Sequence, residues 1–260
     1  MTTLPAIFIS HGSPDLLLQS VPAVDFLKQL GTQFSKPNAI LVVSAHWLTQ
    51  NPTVSCAPEV PTIHDFGGFS PVLYQMKYGA PGAPALAKQV ATVLSDVGFD
   101  VATDVNRGLD HGAWEPLMLM YPNATIPVTQ LSIQPRMGTR HHLSLGRALA
   151  QLREEGVLIL ASGAATHNLR MFGAYDLNDA PPDWVTGFDR WLAEAIAHND
   201  TEALLNYRQE APYAIQNHPT DEHLLPLFVA LGAGGETPQR TQLHSSFTYG
   251  VFSMAAYAFA

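Results

Sequence analysis

The sequence predicts an α/β fold, with a central, largely parallel or mixed sheet flanked by helices. Three apolar runs that contain β-branched residues are typical of strands buried on both faces of such a sheet: Ala6–Ser10, Ala39–Trp47 and Val157–Gly163. Segments with the apolar spacing of helices alternate with these runs. This alternation is typical of a layered α/β domain.

The remaining elements follow in order along the chain. Apolar periodicity predicts helices over residues 23–34, 83–97, 141–155, 183–198 and 201–207. Shorter apolar segments predict strands over residues 100–105 and 126–133, and a strand or strand pair over residues 247–259. The stretch between Trp47 and Ala83 is rich in proline and predicts an irregular loop. A last helix is expected to start at Thr220, whose hydroxyl suits the N-cap position.

Length and composition fit one domain that spans residues 1–260. The chain has 260 residues, of which 47% are hydrophobic, so it is long enough to bury a sizeable core. Neither an internal repeat nor a linker divides the sequence. The charged fraction of 13% and the net charge of −9, without any cluster of Lys or Arg, argue against nucleic acid or an anionic membrane as a partner.

Cellular location is predicted from cysteine content and from the apolar runs. The single cysteine, Cys56, excludes an intrachain disulfide and fits a reducing compartment. The N-terminus lacks the pattern of a signal peptide, and none of the apolar runs is long enough to cross a bilayer. We expect a cytoplasmic protein.

Each of the three apolar strands has a histidine at its end or within a few residues after it. These histidines are His11, His46 and His167. If the strands are parallel, the three imidazoles meet at the edge where ligands bind in open α/β sheets. Histidine is the commonest metal ligand, so the pattern favours a metal site. For either of the first two alone, a strand-end histidine bonded to backbone is an equally good interpretation.

Other histidines are placed less clearly. His223 lies at a predicted helix start beside Glu222, where a neutral imidazole could bind a metal or simply belong to an acidic first turn. His111 lies in a predicted loop, where a local bond to Asp110 is the alternative to a functional role. The pair 141–142 begins a predicted surface helix, so solvation is the better interpretation there.

Six short segments occur in order along the chain: Ser10–Pro14, Ser44–Trp47, Ile63–Phe69, Asp110–Trp114, Ser162–Leu169 and Pro219–His223. Each segment is weak alone, but the series covers nearly the whole chain. Taken together and in this order, the segments resemble the DODA-type extradiol ring-cleavage dioxygenases, the 4,5-DOPA dioxygenase branch of the class III, LigB-like superfamily.

The resemblance implies one divalent metal ion per chain, held by His11, His46 and His223. Fe(II) is expected to support activity, whereas Zn(II) is expected in the protein as isolated, because zinc binds imidazole more tightly. His167 is implied as the acid/base histidine or as a fourth ligand. The wider superfamily uses a glutamate as its third ligand, so Glu222 stays an alternative to His223.

The implied reaction adds both atoms of O2 to a DOPA-like catechol and opens the ring beside the diol. His111 is implied as a second pocket histidine that contacts substrate or oxygen. A flat substrate needs apolar walls, and candidates to supply them or bind the ring are His64, Trp47, Phe66, Phe69 and Trp114.

The partners implied are therefore a small aromatic diol and O2, and the chain is expected to be a monomer or a small homo-oligomer. Two other functions stay open. A zinc-dependent hydrolase would use the same histidines with a coordination position free for water, and a non-catalytic zinc-binding protein would close the site with four histidines.

Overall fold

A computed structural model describes residues 3–260 of the chain. Its strands are β1 (Ala6–Ser10), β2 (Ala39–Leu48), β3 (Thr53–Ser55), β4 (Ala102–Asp104), β5 (Val128–Ile133), β6 (Val157–Gly163), β7 (Arg240–His244), β8 (Phe247–Thr248), β9 (Phe252–Ser253) and β10 (Ala256–Phe259). Its α-helices are α1 (Pro22–Gln33), α2 (Pro84–Asp96), α3 (His111–Met120), α4 (Gly138–Leu149), α5 (Asp183–Ala197), α6 (Thr201–Leu205), α7 (Tyr207–Glu210), α8 (Ala214–Asn217) and α9 (Leu225–Ala233).

Eight of these strands form one mixed sheet, in the order β4-β3-β5-β2-β6-β1-β10-β7. The four central strands β5, β2, β6 and β1 are parallel, and β10 pairs antiparallel with β1. Ser44 lies beside Ser162, and Ser162 lies beside Ile9, so β2, β6 and β1 end at the same edge. The predicted α/β fold with a mixed central sheet is confirmed.

Alternate residues of the central strands face two separate hydrophobic cores. On one face, Phe8 and its neighbours pack with α2, α4, α5 and α9. On the other face, Ile7 and its neighbours pack with α1 and α3. Both faces of the sheet are therefore covered, which explains why the strand sequences are almost continuously apolar. None of the helices within residues 3–260 is long and apolar enough to cross a membrane.

The last predicted helix starts later than expected. Helix α9 begins at Leu225, and the segment from Thr220 to Leu224 forms a turn. Pro226 favours the first turn of a helix because its φ is fixed and its missing N–H would have no helical partner there. The Thr220 hydroxyl donates to Glu222 instead of capping the helix. The prediction that Thr220 is the N-cap is therefore wrong.

Two further details differ from the predictions. His142 is buried, not solvated: its Nδ1 donates to the Gly138 carbonyl at 2.7 Å, and its Nε2 accepts from the Gln134 N–H at 3.1 Å. Strands β3 and β7 were not predicted, because the first lies within the proline-rich stretch and the second is largely polar.

Helices α4 and α9 approach each other closely. A Cβ atom on Gly232 would lie 2.1 Å from the Leu143 carbonyl oxygen, and one on Gly146 would lie 2.1 Å from that of Val229. Only glycine at both positions permits this spacing. Because α9 directly follows the segment that carries His223, the close packing also fixes that segment.

We predict that Gly232→Ala lowers the free energy of unfolding by about 1–3 kcal/mol or more, because the added methyl group forces the two helices apart. Urea-induced unfolding would give the free energy of unfolding. Gly79→Ala is the control, since a Cβ there would meet no atom within 4 Å. Equal stability of the two variants would contradict the prediction.

Candidate active site

A cavity of about 410 Å³ lies at the edge of the sheet where the three central strands end. Polar and apolar residues line it from several segments of the chain: His11, Gly12, Ser13, Pro14, His46, Asp65, Phe66, Gly67, Gly68, Phe69, His111, His167, Leu169, Phe172, His223 and Phe252. Its size falls within the range of about 300–1,000 Å³ typical of small-molecule sites.

Five predicted histidines meet in this cavity. His11 directly follows β1, His46 lies near the end of β2, and His167 follows β6 by four residues. His111 is the first residue of α3, not part of a loop as predicted, and His223 lies two residues before α9. The backbone carbonyl of His223 accepts from the Ala164 N–H at 2.8 Å, which ties this residue to the end of β6.

The side chains of His11, His46 and His223 converge through their Nε2 atoms. The Nε2 of His46 lies 3.1 Å from that of His11 and 3.3 Å from that of His223. The ligand atoms of all three residues lie within 4.8 Å of one another. Gly112 permits this convergence, because a Cβ there would lie 2.6 Å from the Ser44 hydroxyl and 3.0 Å from the His46 ring.

In two of these rings the outer nitrogen, Nδ1, is hydrogen-bonded to an oxygen atom. The Ser162 hydroxyl donates to the Gly112 carbonyl and lies 3.0 Å from the Nδ1 of His11, so it accepts the Nδ1 proton. The Nδ1 of His223 lies 3.2 Å from the Oε1 of Glu222 and donates to it. These contacts leave the Nε2 atoms of His11 and His223 unprotonated.

The three nitrogens therefore fit a cation. His46 can supply at most one Nε2 proton for two contacts, so at least one contact joins two unprotonated nitrogens. A metal about 2.0–2.1 Å from each imidazole nitrogen would hold adjacent nitrogens roughly 2.8–3.4 Å apart. The observed separations of 3.1 and 3.3 Å match this spacing. His11, His46 and His223 could thus hold one divalent ion.

Burial keeps these imidazoles neutral, as metal ligands must be. Burial is the main cause that lowers the pKa of His11 and of His223 well below the usual value, and nearby histidines add to it. The pKa of His46 is lowered to about 4 by burial first and then by His111. Burial and neighbouring histidines also lower the pKa of His167, to about 3.

Glu222 and His167 both contact His223. They form a second group with His223 whose ligand atoms are also close enough for a metal. However, the Glu222 carboxylate already accepts from His223 and from the Thr220 hydroxyl. The His167 ring stacks on the His223 ring at 3.4 Å between centroids. This arrangement supports His223 over Glu222 as the ligand that faces His46.

Asp65 bridges two of the histidines, a role that the sequence did not reveal. Its Oδ1 accepts from the backbone N–H of His111 at 2.9 Å and from the Nδ1 of the same residue at 3.0 Å. Its Oδ2 lies 3.6 Å from the Nδ1 of His46. Burial alone would raise the pKa of Asp65, but the bonds from His111 and the nearby histidines lower it to about 2.

The local Asp110–His111 bond, which was the alternative to a functional role for His111, does not form; His111 is bonded to Asp65. The Asp110 carboxylate instead accepts from the Ser44 hydroxyl at 2.6 Å, from Arg107 at 2.7 Å and from Gln130. Ser44 in turn accepts from the backbone N–H of His46 at 3.2 Å, so this buried network supports the end of β2.

Of the five residues predicted to bind substrate, Phe66 and Phe69 line the cavity. The other three do not line it within residues 3–260. His64 bonds to the Met76 carbonyl at 3.0 Å, Trp114 is fully buried and donates to the Ile63 carbonyl, and Trp47 packs under the Arg107 guanidinium. Each of these side chains therefore makes a contact outside the cavity lining.

Three apolar wall residues were missed: Leu169, Phe172 and Phe252. They lie on the loop after β6 and on the small β8–β9 hairpin, and nothing in their local sequence distinguishes them from ordinary loop and strand residues.

Glu115 is a buried acid close to the site. It lies one helical turn after His111 and is 1% exposed, and its carboxyl oxygens have no hydrogen-bond partner among residues 3–260. Burial, aided by three nearby aspartates, raises its pKa to about 10. This carboxyl group is therefore neutral at neutral pH.

Residues 5–260 match the family model described as the catalytic LigB subunit of aromatic ring-opening dioxygenase. The chain belongs to the LigB family. Dioxygenases of this family depend on a metal ion and act on an aromatic substrate with O2, which agrees with the histidine cluster and its cavity.

Individual members of the LigB family match over nearly their full length. A protein from Beta vulgaris named 4,5-DOPA dioxygenase extradiol is 46% identical over 97% of this chain and 95% of its own length. A protein of the same name from Escherichia coli K12 is 39% identical over 91% of this chain and 88% of its own. The crystal structure of an uncharacterized protein from Escherichia coli K12 superimposes with a TM-score of 0.81, at 33% identity, and covers 99% of this chain and 100% of that one.

We predict that Asp65→Asn weakens metal binding about 10- to 100-fold, the usual effect of losing an outer-shell partner of a ligand, because the carboxylate charge lies 3.6 Å from the Nδ1 of His46. The amide cannot replace both carboxylate oxygens as acceptors toward His46 and His111. Competition with a chelator would give the Kd for Zn(II). Asp96→Asn, an exposed change on α2 that leaves the cavity lining intact, is the control. A Zn(II) affinity equal to that of the control would refute the role assigned to Asp65.

Proposed function

We propose that this LigB family member is an extradiol dioxygenase that cleaves the ring of a catechol-type substrate beside its two hydroxyl groups. The observation that carries the proposal is the cluster of three facing Nε2 atoms at the floor of a cavity with phenylalanine walls. The names of the relatives, which refer to 4,5-DOPA, support a DOPA-like catechol as the substrate type.

The metal is proposed to be Fe(II), held by His11, His46 and His223. When bound, it would supply a Lewis acid for the diol and a redox centre for O2. Three protein ligands leave coordination positions open, and the cavity provides the space above them. The bonded outer nitrogens of His11 and His223 hold both rings with Nε2 directed toward the shared centre.

His167 is proposed as the base that takes a proton from a catechol hydroxyl. It lines the cavity and stacks on His223 without belonging to the group formed by His11, His46 and His223. Its lowered pKa keeps the ring neutral, so a ring nitrogen is available to accept a proton.

His111 is proposed to contact the substrate or O2. Asp65 accepts its Nδ1 proton, which leaves the Nε2 of His111 as a hydrogen-bond acceptor. Because the ring lines the cavity and lies 3.9 Å from the His46 ring, it borders the floor where the diol would bind.

The overall reaction consumes one catechol and one O2. The bond between a hydroxyl-bearing carbon and its ring neighbour outside the diol breaks. One oxygen atom goes to each carbon of that bond, so that a carboxylic acid and an aldehyde form and both atoms of O2 remain in the product.

The function is tested by loading the protein with Fe(II) under anaerobic conditions, adding a catechol and then O2. We expect equimolar O2 uptake, a yellow ring-opened product and incorporation of both ¹⁸O atoms from ¹⁸O2. Protein loaded with Zn(II) is the control and should show little oxygenase activity. A fully active zinc form, or the absence of O2 uptake with every catechol, would contradict the proposal.

We predict that His167→Ala keeps its metal but loses about 10²- to 10⁴-fold in turnover, the usual contribution of a positioned acid/base group. Metal content and kcat would be measured side by side, with His198→Ala, at an exposed position outside the cavity lining, as the control. If the variant loses its metal and regains near-normal turnover in excess Fe(II), His167 is a ligand instead of a base.

A further inference from the structure

The ring of the proposed base, His167, is not fixed by any hydrogen bond of its own. It lines the cavity and stacks on the His223 ring with 3.4 Å between centroids. Neither of its ring nitrogens has a hydrogen-bond partner within residues 3–260. The position of these nitrogens therefore depends on the backbone that carries the ring, which is the loop after β6 at residues 164–168. We call this segment the base loop.

The base loop is fastened to a second segment, residues 216–218, which lies just before the turn that carries His223. The backbone N–H of His167 donates to the Asn217 carbonyl at 3.0 Å. The Nδ2 of Asn168 donates to the Gln216 carbonyl at 2.7 Å. These two bonds hold the second half of the base loop.

The side chain of His218 holds the first half of the base loop. Its Nε2 lies 2.9 Å from the Ala165 carbonyl oxygen. Burial is the main cause that lowers the pKa of His218 to about 4, so the ring is neutral at neutral pH and carries one proton. A carbonyl only accepts, so this proton is on Nε2. Ala165 is fully buried, and no other donor within residues 3–260 reaches its carbonyl, so solvent cannot supply a replacement.

The surroundings of His218 do not otherwise favour a polar side chain. The ring is fully buried and packs against Phe188 and Tyr207, with centroid distances of 5.3 and 6.1 Å. With the proton on Nε2, its Nδ1 is an acceptor, and this atom has no hydrogen-bond partner in the described part of the chain. A buried acceptor without a partner destabilises a fold, and an apolar side chain would avoid that loss. The bond to Ala165 is therefore the contact that distinguishes histidine from an apolar residue here.

The backbone of His218 is itself held in place. Its N–H donates to the Ala214 carbonyl at 2.8 Å, at the end of α8. Its carbonyl accepts from the Nη1 of Arg208 at 3.1 Å, and Arg208 forms an ion pair with Asp221. The Nε2 donor is thus presented from a fixed frame, so the Ala165 carbonyl can move only by losing its bond.

We infer that His218 is a positioning residue for the base: its Nε2–H holds the Ala165 carbonyl and so keeps the His167 ring within reach of a catechol hydroxyl. This inference rests on the proposed function, in which His167 takes the proton. His218 acts only through the base loop, because it is not among the residues that line the cavity in residues 3–260.

His218→Leu removes the donor and keeps an apolar contact with Phe188 and Tyr207. For the Fe(II) enzyme with DOPA we expect kcat to fall about 10- to 100-fold, as for a small misplacement of a catalytic group. KM and the Fe(II) content should stay close to their native values, because the three metal-binding histidines and the apolar walls keep their contacts. His218→Gln should restore most of kcat, since its amide N–H reaches about as far as the imidazole Nε2.

A second measurement follows the proton without turnover. The absorption spectrum of 4-nitrocatechol changes with each proton that it loses, so it can be added to the Zn(II) form of the protein in the absence of O2. The native protein should bind this probe with both hydroxyl groups ionised. His218→Leu should bind mostly the singly ionised form, and His218→Gln should behave like the native protein.

His142→Leu is the matched control. It also removes a fully buried histidine that is bonded to backbone, but at a position outside the cavity lining. It should lower the free energy of unfolding in urea and leave both kcat and the 4-nitrocatechol spectrum unchanged. If His218→Leu does not fold, His218→Phe takes its place, because it keeps a ring beside Phe188 and Tyr207.

A folded His218→Leu variant with native kcat would overturn the inference, and so would a variant whose kcat returns in excess Fe(II). Failure of His218→Gln to recover activity, or equal 4-nitrocatechol spectra for the native and leucine proteins, would also overturn it. If the native enzyme consumes no O2 with DOPA, the proposed function is contradicted instead, and the 4-nitrocatechol spectra still decide the role of His218.

Discussion

The parallel pairing of β1, β6 and β2 is the constraint on which the site depends. Their hydrogen-bond register brings Ile9, Ser162 and Ser44 side by side. The chain leaves these strands at one edge, so His11 and His46 meet without any long-range loop having to position them. The remaining site residues are then bonded to this edge, as when Ala164 binds the carbonyl of His223.

Crowding five imidazoles into a buried edge carries an energetic cost, since each buried polar atom without a partner costs about 1–3 kcal/mol. The fold limits this cost through the outer nitrogens. Ser162 and Glu222 accept the Nδ1 protons of His11 and His223, and Asp65 accepts that of His111. The Nε2 atoms of His11 and His223 stay directed at the common centre. The same contacts that stabilise the apo fold thereby preselect the tautomers that a metal requires.

The sequence predicted those features of the fold and the site that depend on neighbouring residues in the chain. Apolar β-branched runs identified the three central strands, and the histidines at their ends followed from parallel topology. The bridge from Asp65 to His111 joins residues 46 positions apart, so no local pattern could reveal it. The start of α9 was misplaced because the preference of Pro226 for a first turn outweighed the capping potential of Thr220. Trp47 and Trp114 were expected at the wall, but both are buried side chains that do not belong to the cavity lining.

The buried carboxyl group of Glu115 makes the stability of the fold depend on pH. The unfolded chain would release this proton near pH 4.5, whereas the native chain holds it up to about pH 10. Between these values this carboxyl group binds a proton in the native state but not in the unfolded state, so its own contribution to stability falls as pH rises. Glu115 by itself makes the native charge near neutrality one unit less negative than the formal −9, and raising the pH through this range removes part of the stability that this internal acid contributes.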